Sequence, residues 1–277
     1  MYIVNEKCNL IDYLKNIGIS KNKVKTYVKL GFIRVNNKTI TKLPYFLNKN
    51  DKVEIIKKDK IKTNLNIIYE DDNYLIIDKP HGLLTISTSN INKDKEETLY
   101  KQVRLYLNQK NEYAFIVNRI DKETSGIVVF AKNQELKDKL QNNWNNIVKK
   151  RGYIAIVSGV IKKDGRIDNY LYEDKLTFSH STKFGGKRAI TNYKVIKSNN
   201  LYTMLDINLE TGRKNQIRVH MTEMNHPIVG DKKYYSKDNS LKRLALHHYE
   251  ISLIDPITNK ILTFKSNVPN EFNNLFK

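Results

Sequence analysis

The sequence predicts an α+β protein: a mixed, largely antiparallel sheet with helices against it, preceded by a small α/β unit. Three observations predict this. Strand-like apolar runs dominate from Leu65 onward. They do not alternate regularly with helical segments, as a parallel βαβ sheet would require. The N-terminal stretch has another texture, with short helical and extended pieces and many lysines.

Leu10, Ile11, Leu14 and Ile17 recur at helical spacing and predict a first helix. Gly18 ends it, because glycine accepts the left-handed conformation of a helix C-terminus. Ser20 is a good N-cap for a second helix. That helix carries Lys21, Lys23, Lys25 and Lys29 outward and turns Val24, Val28 and Leu30 inward, until Gly31 stops it. A short strand Phe32–Val35, a tight turn at Asn36-Asn37-Lys38 and an extended piece from Thr39 follow. The turn Asn48–Asp51 leads to a strand at 52–56. Lys57–Asn64 is polar and lysine-rich and reads as a linker, so the chain is expected to divide into residues 1–60 and 61–277.

Beyond the linker, Ile67–Tyr69 and Tyr74–Asp78 predict a hairpin about Asp71-Asp72-Asn73, closed by Lys79-Pro80-His81-Gly82. A helix is expected over 96–110, with Leu99, Val103 and Leu107 on one face. Phe115–Val117 and Ile127–Ala131 read as buried strands, 134–148 as a helix and Tyr153–Val157 as a strand. Further strands are expected at 189–197, 202–210 and 250–264, with a helix beginning near Asn215. There is no internal repeat.

Composition narrows the function. A chain of 277 residues, 40% hydrophobic, buries a core large enough for one large and one small domain. No apolar run reaches membrane-spanning length, and the N-terminus lacks the pattern of a signal peptide. Cys8 is the lone cysteine, which excludes an internal disulfide and a cysteine metal cluster. A cytoplasmic protein without a metal is expected. The net charge is +20, which suits a polyanionic partner, although a Lys-, Asn- and Ile-rich composition also arises from biased coding. Its distribution says more. Residues 1–60 hold 14 Lys/Arg and 5 Asp/Glu, a net of +9, and leave +11 to the other 217 residues. Only 9 of the 49 basic residues are Arg, and Arg119, Arg151, Arg213 and Arg218 lie at the motifs below. Where lysine is the default, an arginine marks a place that wants a planar, multi-donor group.

Four segments carry possible chemistry. The lysine-faced helix at 20–31 with the Val35-Asn36-Asn37-Lys38 turn reads either as a solvated surface or as a surface lying along a phosphate backbone. In Asn118-Arg119-Ile120-Asp121-Lys122-Glu123-Thr124-Ser125-Gly126, Asp121 follows a buried strand and precedes a hydroxyl-rich loop. A carboxylate there serves as nucleophile, general base, metal ligand or turn cap. No second carboxylate or histidine stands at metal-ligand spacing, which weakens the metal option. In Thr211-Gly212-Arg213-Lys214-Asn215-Gln216-Ile217-Arg218-Val219-His220, Arg213, Gln216 and His220 share helical spacing and Arg218 takes another face. The segment reads as a solvated helix start or as an anion site built from arginine and a helix N-terminus. Tyr153, in Arg151-Gly152-Tyr153, opens a strand and reads as core or as a functional ring.

Together these segments resemble the RluA-type pseudouridine synthases, over nearly the whole chain. Residues 8–57 resemble the S4-like RNA-binding domain that one branch of that family carries at its N-terminus. The Arg119–Gly126 motif is the most specific piece. The stretch from Arg213 through His220, followed by His226-Pro227-Ile228 and Gly230-Asp231, supports it at the expected distance. The resemblance implies isomerisation of uridine to pseudouridine in RNA, with no cofactor, by a monomer whose best-fitting substrate is large-subunit ribosomal RNA. Transfer RNA and a non-catalytic RNA-binding role are the alternatives. It implies Asp121 as catalytic carboxylate, Tyr153 stacked on the target uracil and Arg218 paired with Asp121. Arg119 would enter the RNA stack as the base flips out. Lys21, Lys23, Lys25, Lys29, Asn36, Lys38, Arg213 and Gln216 would contact RNA. The chain departs from the family's pattern at Asn118 and Asn215, where histidine is usual, and at Asn225 and Tyr235, where glycine is common. No Gly-x-Gly-x-x-Gly follows a strand, so a nucleotide-cofactor methyltransferase is unsupported.

Overall fold

The computed structural model describes residues 1–29, 31–56, 64–87, 97–174, 179–182, 185–234, 236, 238 and 240–277. It divides into two compact units. The first comprises Met1–Asn64 with Ser87–Glu97 and Lys101–Glu112, so it takes in two segments far along the chain. Most of the linker region, Leu30 and Tyr235 lie outside the described residues.

In the first unit the order is β1 (Tyr2–Ile3), β2 (Cys8–Asn9), α1 (Leu10–Asn16), α2 (Lys21–Lys29), β3 (Ile33–Val35), β4 (Lys38–Ile40), β5 (Phe46–Leu47) and β6 (Lys52–Ile55). Asn9 caps α1 by accepting from Ile11 N at 2.9 Å. Gly18, at φ +90°, closes it. Ser20 Oγ accepts from Lys23 N at the start of α2. Both helices lay their apolar stripes, Leu10, Leu14, Val24 and Val28, into one core. Under it the sheet runs β1-β6-β3-β4. Asn36 and Asn37 both have positive φ, 49° and 67°. A two-residue hairpin turn requires that, and asparagine accepts it. Val35 therefore pairs directly with Lys38.

The second unit comprises Leu65–Ile86, Thr98–Tyr100 and Tyr113–Lys277. From residue 65 the elements run β7 (Ile67–Glu70), β8 (Tyr74–Lys79), α3 (Leu99–Gln109), which from Lys101 onward belongs to the first unit, β9 (Phe115–Ile116), β10 (Ser125–Ala131), α4 (Gln134–Asn142) and α5 (Trp144–Ile147). Then follow β11 (Val148–Ser158), β12 (Gly165–Glu173), β13 (Ser179–Thr182), β14 (Lys187–Ser198), β15 (Tyr202–Leu209), α6 (Gln216–Glu223), β16 (Leu246–Ile254), β17 (Ile261–Lys265) and α7 (Asn270–Asn274). One large sheet runs β13-β12-β14-β15-β11-β16-β10-β8-β7, with β17 on β16 and β9 on β10. Its pairings are antiparallel except β10 with β16, at Ser125↔His247 and Gly126↔His248. The fold class is thus α+β with a mixed, largely antiparallel sheet. Leu99, Val103 and Leu107 are buried one turn apart, as the helical spacing predicts. Among the described residues no helix is long and apolar enough to cross a membrane.

Several elements differ from expectation for local reasons. Residues 165–182 carry no clear strand signal, yet β12 and β13 form there. The inward face of β12 is Ile167, Asn169 and Leu171, and the polar Asn169 interrupts the alternation. Asn169 is there to accept from His220 Nε2 at 2.8 Å. The helix expected over 134–148 is two, broken at Asn143, and Val148 already belongs to β11. The strand expected at 250–264 is an antiparallel pair, β16 and β17, turned at Asp255, whose carboxylate accepts from Thr258 N. The strand expected at Ile127 begins two residues earlier, with Ser125 and Gly126 in β10. Asp121 therefore lies inside the β9–β10 connection, residues 117–124, in which Thr124 is the one hydroxyl residue.

Candidate active site

The β9–β10 connection is fastened on both sides of Asp121. Asn118 Oδ1 accepts from Val129 N at 2.7 Å, which closes the start of the connection onto β10. The Ile120 carbonyl accepts from Thr85 Oγ1 at 2.7 Å. The Lys122 carbonyl accepts from Gly82 N at 2.9 Å and from Lys79 Nζ at 3.1 Å. Lys79, at 0% exposure, also donates to the carbonyls of Pro80 and Leu83. An ammonium surrounded by three carbonyls is well solvated by protein. Burial still pulls its pKa down to about 7, against the pull of Asp121 and Glu123. Thr124 N donates to the Asp121 carbonyl and completes the turn. The carboxylate is thus held by bonds to its backbone neighbours while 32% of its own side chain stays exposed.

Arg218 is the nearest opposite charge. It sits in the first turn of α6, with 6% of its side chain exposed, and its Nη1 lies 3.6 Å from Asp121 Oδ2. That is an ion pair longer than a hydrogen bond. Its short bonds go elsewhere: Nε and Nη2 donate to Asp231 at 2.8 and 2.6 Å. Asp231 is buried and also accepts from the backbone N–H of Lys233 and Tyr234. The guanidinium also lies over the Tyr234 ring, 5.2 Å from its centroid. The pairing expected from sequence, Arg218 with Asp121, is present but secondary. Two carboxylates compete for one guanidinium, and the buried one takes the bidentate geometry. Arg218 is thereby fixed, with Nη1 left toward Asp121.

Tyr153 is half-buried at the middle of β11, which begins at Val148 and not at Tyr153 as the sequence predicts. Burial pushes its phenol above the usual range; the Arg151 charge opposes this and the Asp121 charge adds to it. Asp121 is therefore close enough to be felt by the phenol. Arg151 is buried and donates through Nη2 to the Glu210 carbonyl, which braces the turn before α6.

The residues expected to contact RNA fall into three groups. Lys21, Lys23, Lys25 and Lys38 are exposed on α2 and β4, and Arg119 and Arg213 are exposed in the second unit. The side chain of Lys29 lies outside what the structure describes. Asn36 is exposed but its amide is engaged, donating to Asp51 and accepting from Lys52 N. Gln216 is a correction. It is buried, accepts from Thr211 Oγ1 and Arg213 N, and donates to the Ile190 carbonyl and Thr191 Oγ1. All of its hydrogen-bonding reach is spent inside, so it braces the entry to α6 and does not face a ligand. Arg213 is likewise too early in the chain for the helical face assigned to it, since α6 begins at Gln216. It lines an open groove with Tyr172, Lys187 and Lys214.

Two of the departures acquire a reason. Asn215 and Asn225 both adopt left-handed backbone, φ 54° and 62°. Asparagine is, after glycine, the residue that does so most readily. Asn215 also offers Oδ1 to Arg218 Nη1 at 3.2 Å. Sequence reasoning missed Lys79, Thr85 and the role of Asp231. Lys79 and Thr85 act through backbone carbonyls 35–43 residues away, which no local pattern reveals. Asp231 stood within a quoted motif but carried no role.

Comparison with known proteins agrees with this architecture. Residues 73–223 match the family model of RNA pseudouridylate synthase. The chain is 30% identical to the uncharacterized RNA pseudouridine synthase YhcT of Bacillus subtilis, over 99% of this chain and 95% of that protein. It is 30% identical to ribosomal large subunit pseudouridine synthase D of Haemophilus influenzae, over 91% of this chain and 85% of that protein. Among solved structures, human RNA pseudouridylate synthase domain containing 4 shares the fold, with a TM-score of 0.59 at 23% identity, covering 75% of this chain and 90% of that one. The match over more than half of the chain, and over nearly all of it to the Bacillus relative, places the protein in the RNA pseudouridylate synthase family, whose members are enzymes that act on RNA.

Proposed function

We propose that this enzyme forms pseudouridine in large-subunit ribosomal RNA, with Asp121 as its catalytic carboxylate. The observation that carries the reading is the Asp121–Arg218 pair. The carboxylate is reachable from solvent, its loop is fastened on both flanks, and a fully oriented guanidinium faces it at 3.6 Å. The substrate class follows from relatives, several of which are named ribosomal large subunit pseudouridine synthase D.

The reaction breaks the bond from uracil nitrogen 1 to the ribose, turns the base and rejoins it through carbon 5. The proton lost from carbon 5 is balanced by one gained at nitrogen 1, so the product is an isomer. Asp121 starts the reaction as nucleophile or as base. Arg218 sets a positive charge 3.6 Å from the carboxylate and so orients it. Tyr153 lies against the uracil, its phenol kept protonated by burial. Arg119, exposed two residues before Asp121, takes the place of the flipped base in the RNA. The N-terminal unit acts as an S4-like RNA-binding domain through the exposed lysines of α2 and β4.

The test is to incubate the full chain with large-subunit ribosomal RNA and, separately, with bulk transfer RNA. Pseudouridine is read by carbodiimide labelling, and the modified position is mapped in a deletion strain against its parent. Modification of the ribosomal RNA alone is expected. Labelling confined to transfer RNA would overturn the substrate assignment and leave the chemistry standing.

A further inference from the structure

Tyr153 does not stand on its strand alone. Its ring lies on the imidazole of His248, with centroids 4.5 Å apart and planes 16° from parallel. The two residues are cross-strand partners where the β11–β16 register shifts, between Gly152 and Tyr153. A register shift re-aims a side chain away from the regular strand direction. His248, by contrast, is held on every side. It is 1% exposed. Its Nδ1 lies 2.7 Å from the Ile127 carbonyl, which only accepts, so Nδ1 carries the proton. Its backbone meets β10 at Gly126, where a Cβ would come within 2.2 Å of the His248 carbonyl oxygen. Its other ring nitrogen, Nε2, is buried without a hydrogen-bond partner. A phenylalanine would fill this space and leave no buried ring acceptor unpaired. Stacking alone therefore does not account for a histidine here. What the imidazole adds is the Nδ1–H bond, which fixes the rotation of a ring that is otherwise loosely set about χ2.

We infer that His248 is a positioning residue, a tethered and uncharged platform that sets the plane in which Tyr153 meets the target base. The inference rests on the reading of Tyr153 as the base-facing ring of the site. Burial holds the pKa of His248 down to about 4, so the platform stays neutral at physiological pH. A cation there would favour the phenolate, whereas a neutral ring leaves the phenol protonated.

The full-length chain tests this in single-turnover conversion of a ribosomal RNA transcript, with RNA affinity measured separately. His248→Phe keeps a ring and loses the tether. His248→Ala loses both. The expected rate losses are about threefold to tenfold for Phe and about a hundredfold for Ala, with RNA affinity changed less than about twofold in each. In a Tyr153→Ala background, adding His248→Ala should lower the rate no further, because nothing is left to position. Wild-type rates in both single variants overturn the inference. So does a rate for Phe as low as for Ala, or an undiminished further loss in the Tyr153→Ala background. Should His248→Ala fail to fold by thermal melt, His248→Phe alone still decides between tether and mere filling. Full activity of Tyr153→Ala is a separate result, which removes the reading of Tyr153 itself.

Discussion

In the first unit Lys21, Lys23, Lys25 and Lys38 stand in solvent on short elements. In the second, Arg218, Asp231 and Lys79 are almost wholly removed from water, and each is held by several hydrogen bonds. Exposed charge acts at long range, is screened by salt and needs no particular geometry. Buried charge acts on one neighbour, is hardly screened and fails if its geometry is lost. Under the proposed function the difference separates two tasks, gripping a polyanion anywhere along its backbone and acting on a single bond. Changes in one unit should therefore alter different observables from changes in the other.

The largest effect is expected at the charge that is both oriented and reachable. Asp121→Asn should lower pseudouridine formation by about a thousandfold or more while RNA binding persists, read by single-turnover assay and filter binding. Substantial activity in this variant would break the division at its centre. Next comes Arg218→Met. Removing one partner of a buried pair leaves Asp231 uncompensated and costs about 3–5 kcal/mol. The urea midpoint should fall accordingly, together with activity. An unchanged midpoint would mean that the Arg218–Asp231 bonds hold nothing in place.

The third prediction concerns acid. His220, His247 and His248 are buried, and burial holds their pKa values down to about 4, about 3 and about 4. In the unfolded chain they titrate near the ordinary value of about 6.5. Between those values the unfolded state binds more protons than the folded state, so stability rises with pH. The urea midpoint should thus drop steadily as pH falls from about 6.5 toward 4. His220→Asn should remove part of that slope. A slope unaffected by the substitution would place the acid sensitivity in other groups.

The smallest effect on chemistry and the clearest on salt belong to the first unit. Lys21→Gln, Lys23→Gln and Lys25→Gln together should weaken RNA binding. The logarithmic slope of affinity against salt should flatten by about 0.7 for each phosphate that a lysine no longer neutralises. The rate at saturating RNA should not change. A fall in that rate with an unchanged salt slope would assign α2 to the chemistry and blur the comparison.

The two kinds of charge also differ in how far the sequence reveals them. The α2 lysines follow from helical spacing and a serine cap, and the Asn36-Asn37 turn follows from residues that tolerate positive φ. Those are local facts. The sheet class follows from the texture of strand runs, although β12 escapes because Asn169 replaces an apolar residue on its inner face to meet His220. Asp121 stands out only through its resemblance to a family motif. Its supports do not, because Lys79 and Thr85 reach it across the sheet and bind carbonyls that any residue would supply. Gln216 shows the opposite failure. Its spacing with Arg213 suggested a shared ligand-facing surface, and the fold spends its amide on closing the turn before α6.

The supports of the β9–β10 connection have a further consequence. They grip the carbonyls of Ile120 and Lys122, atoms common to every amino acid. The exposed side chains of Arg119, Lys122 and Glu123 take no part in holding the turn. Replacing any of those three side chains therefore leaves in place the hydrogen bonds that hold the carboxylate between them. The loop thus separates what it presents to solvent from what anchors it, side chains for the first and main-chain carbonyls for the second.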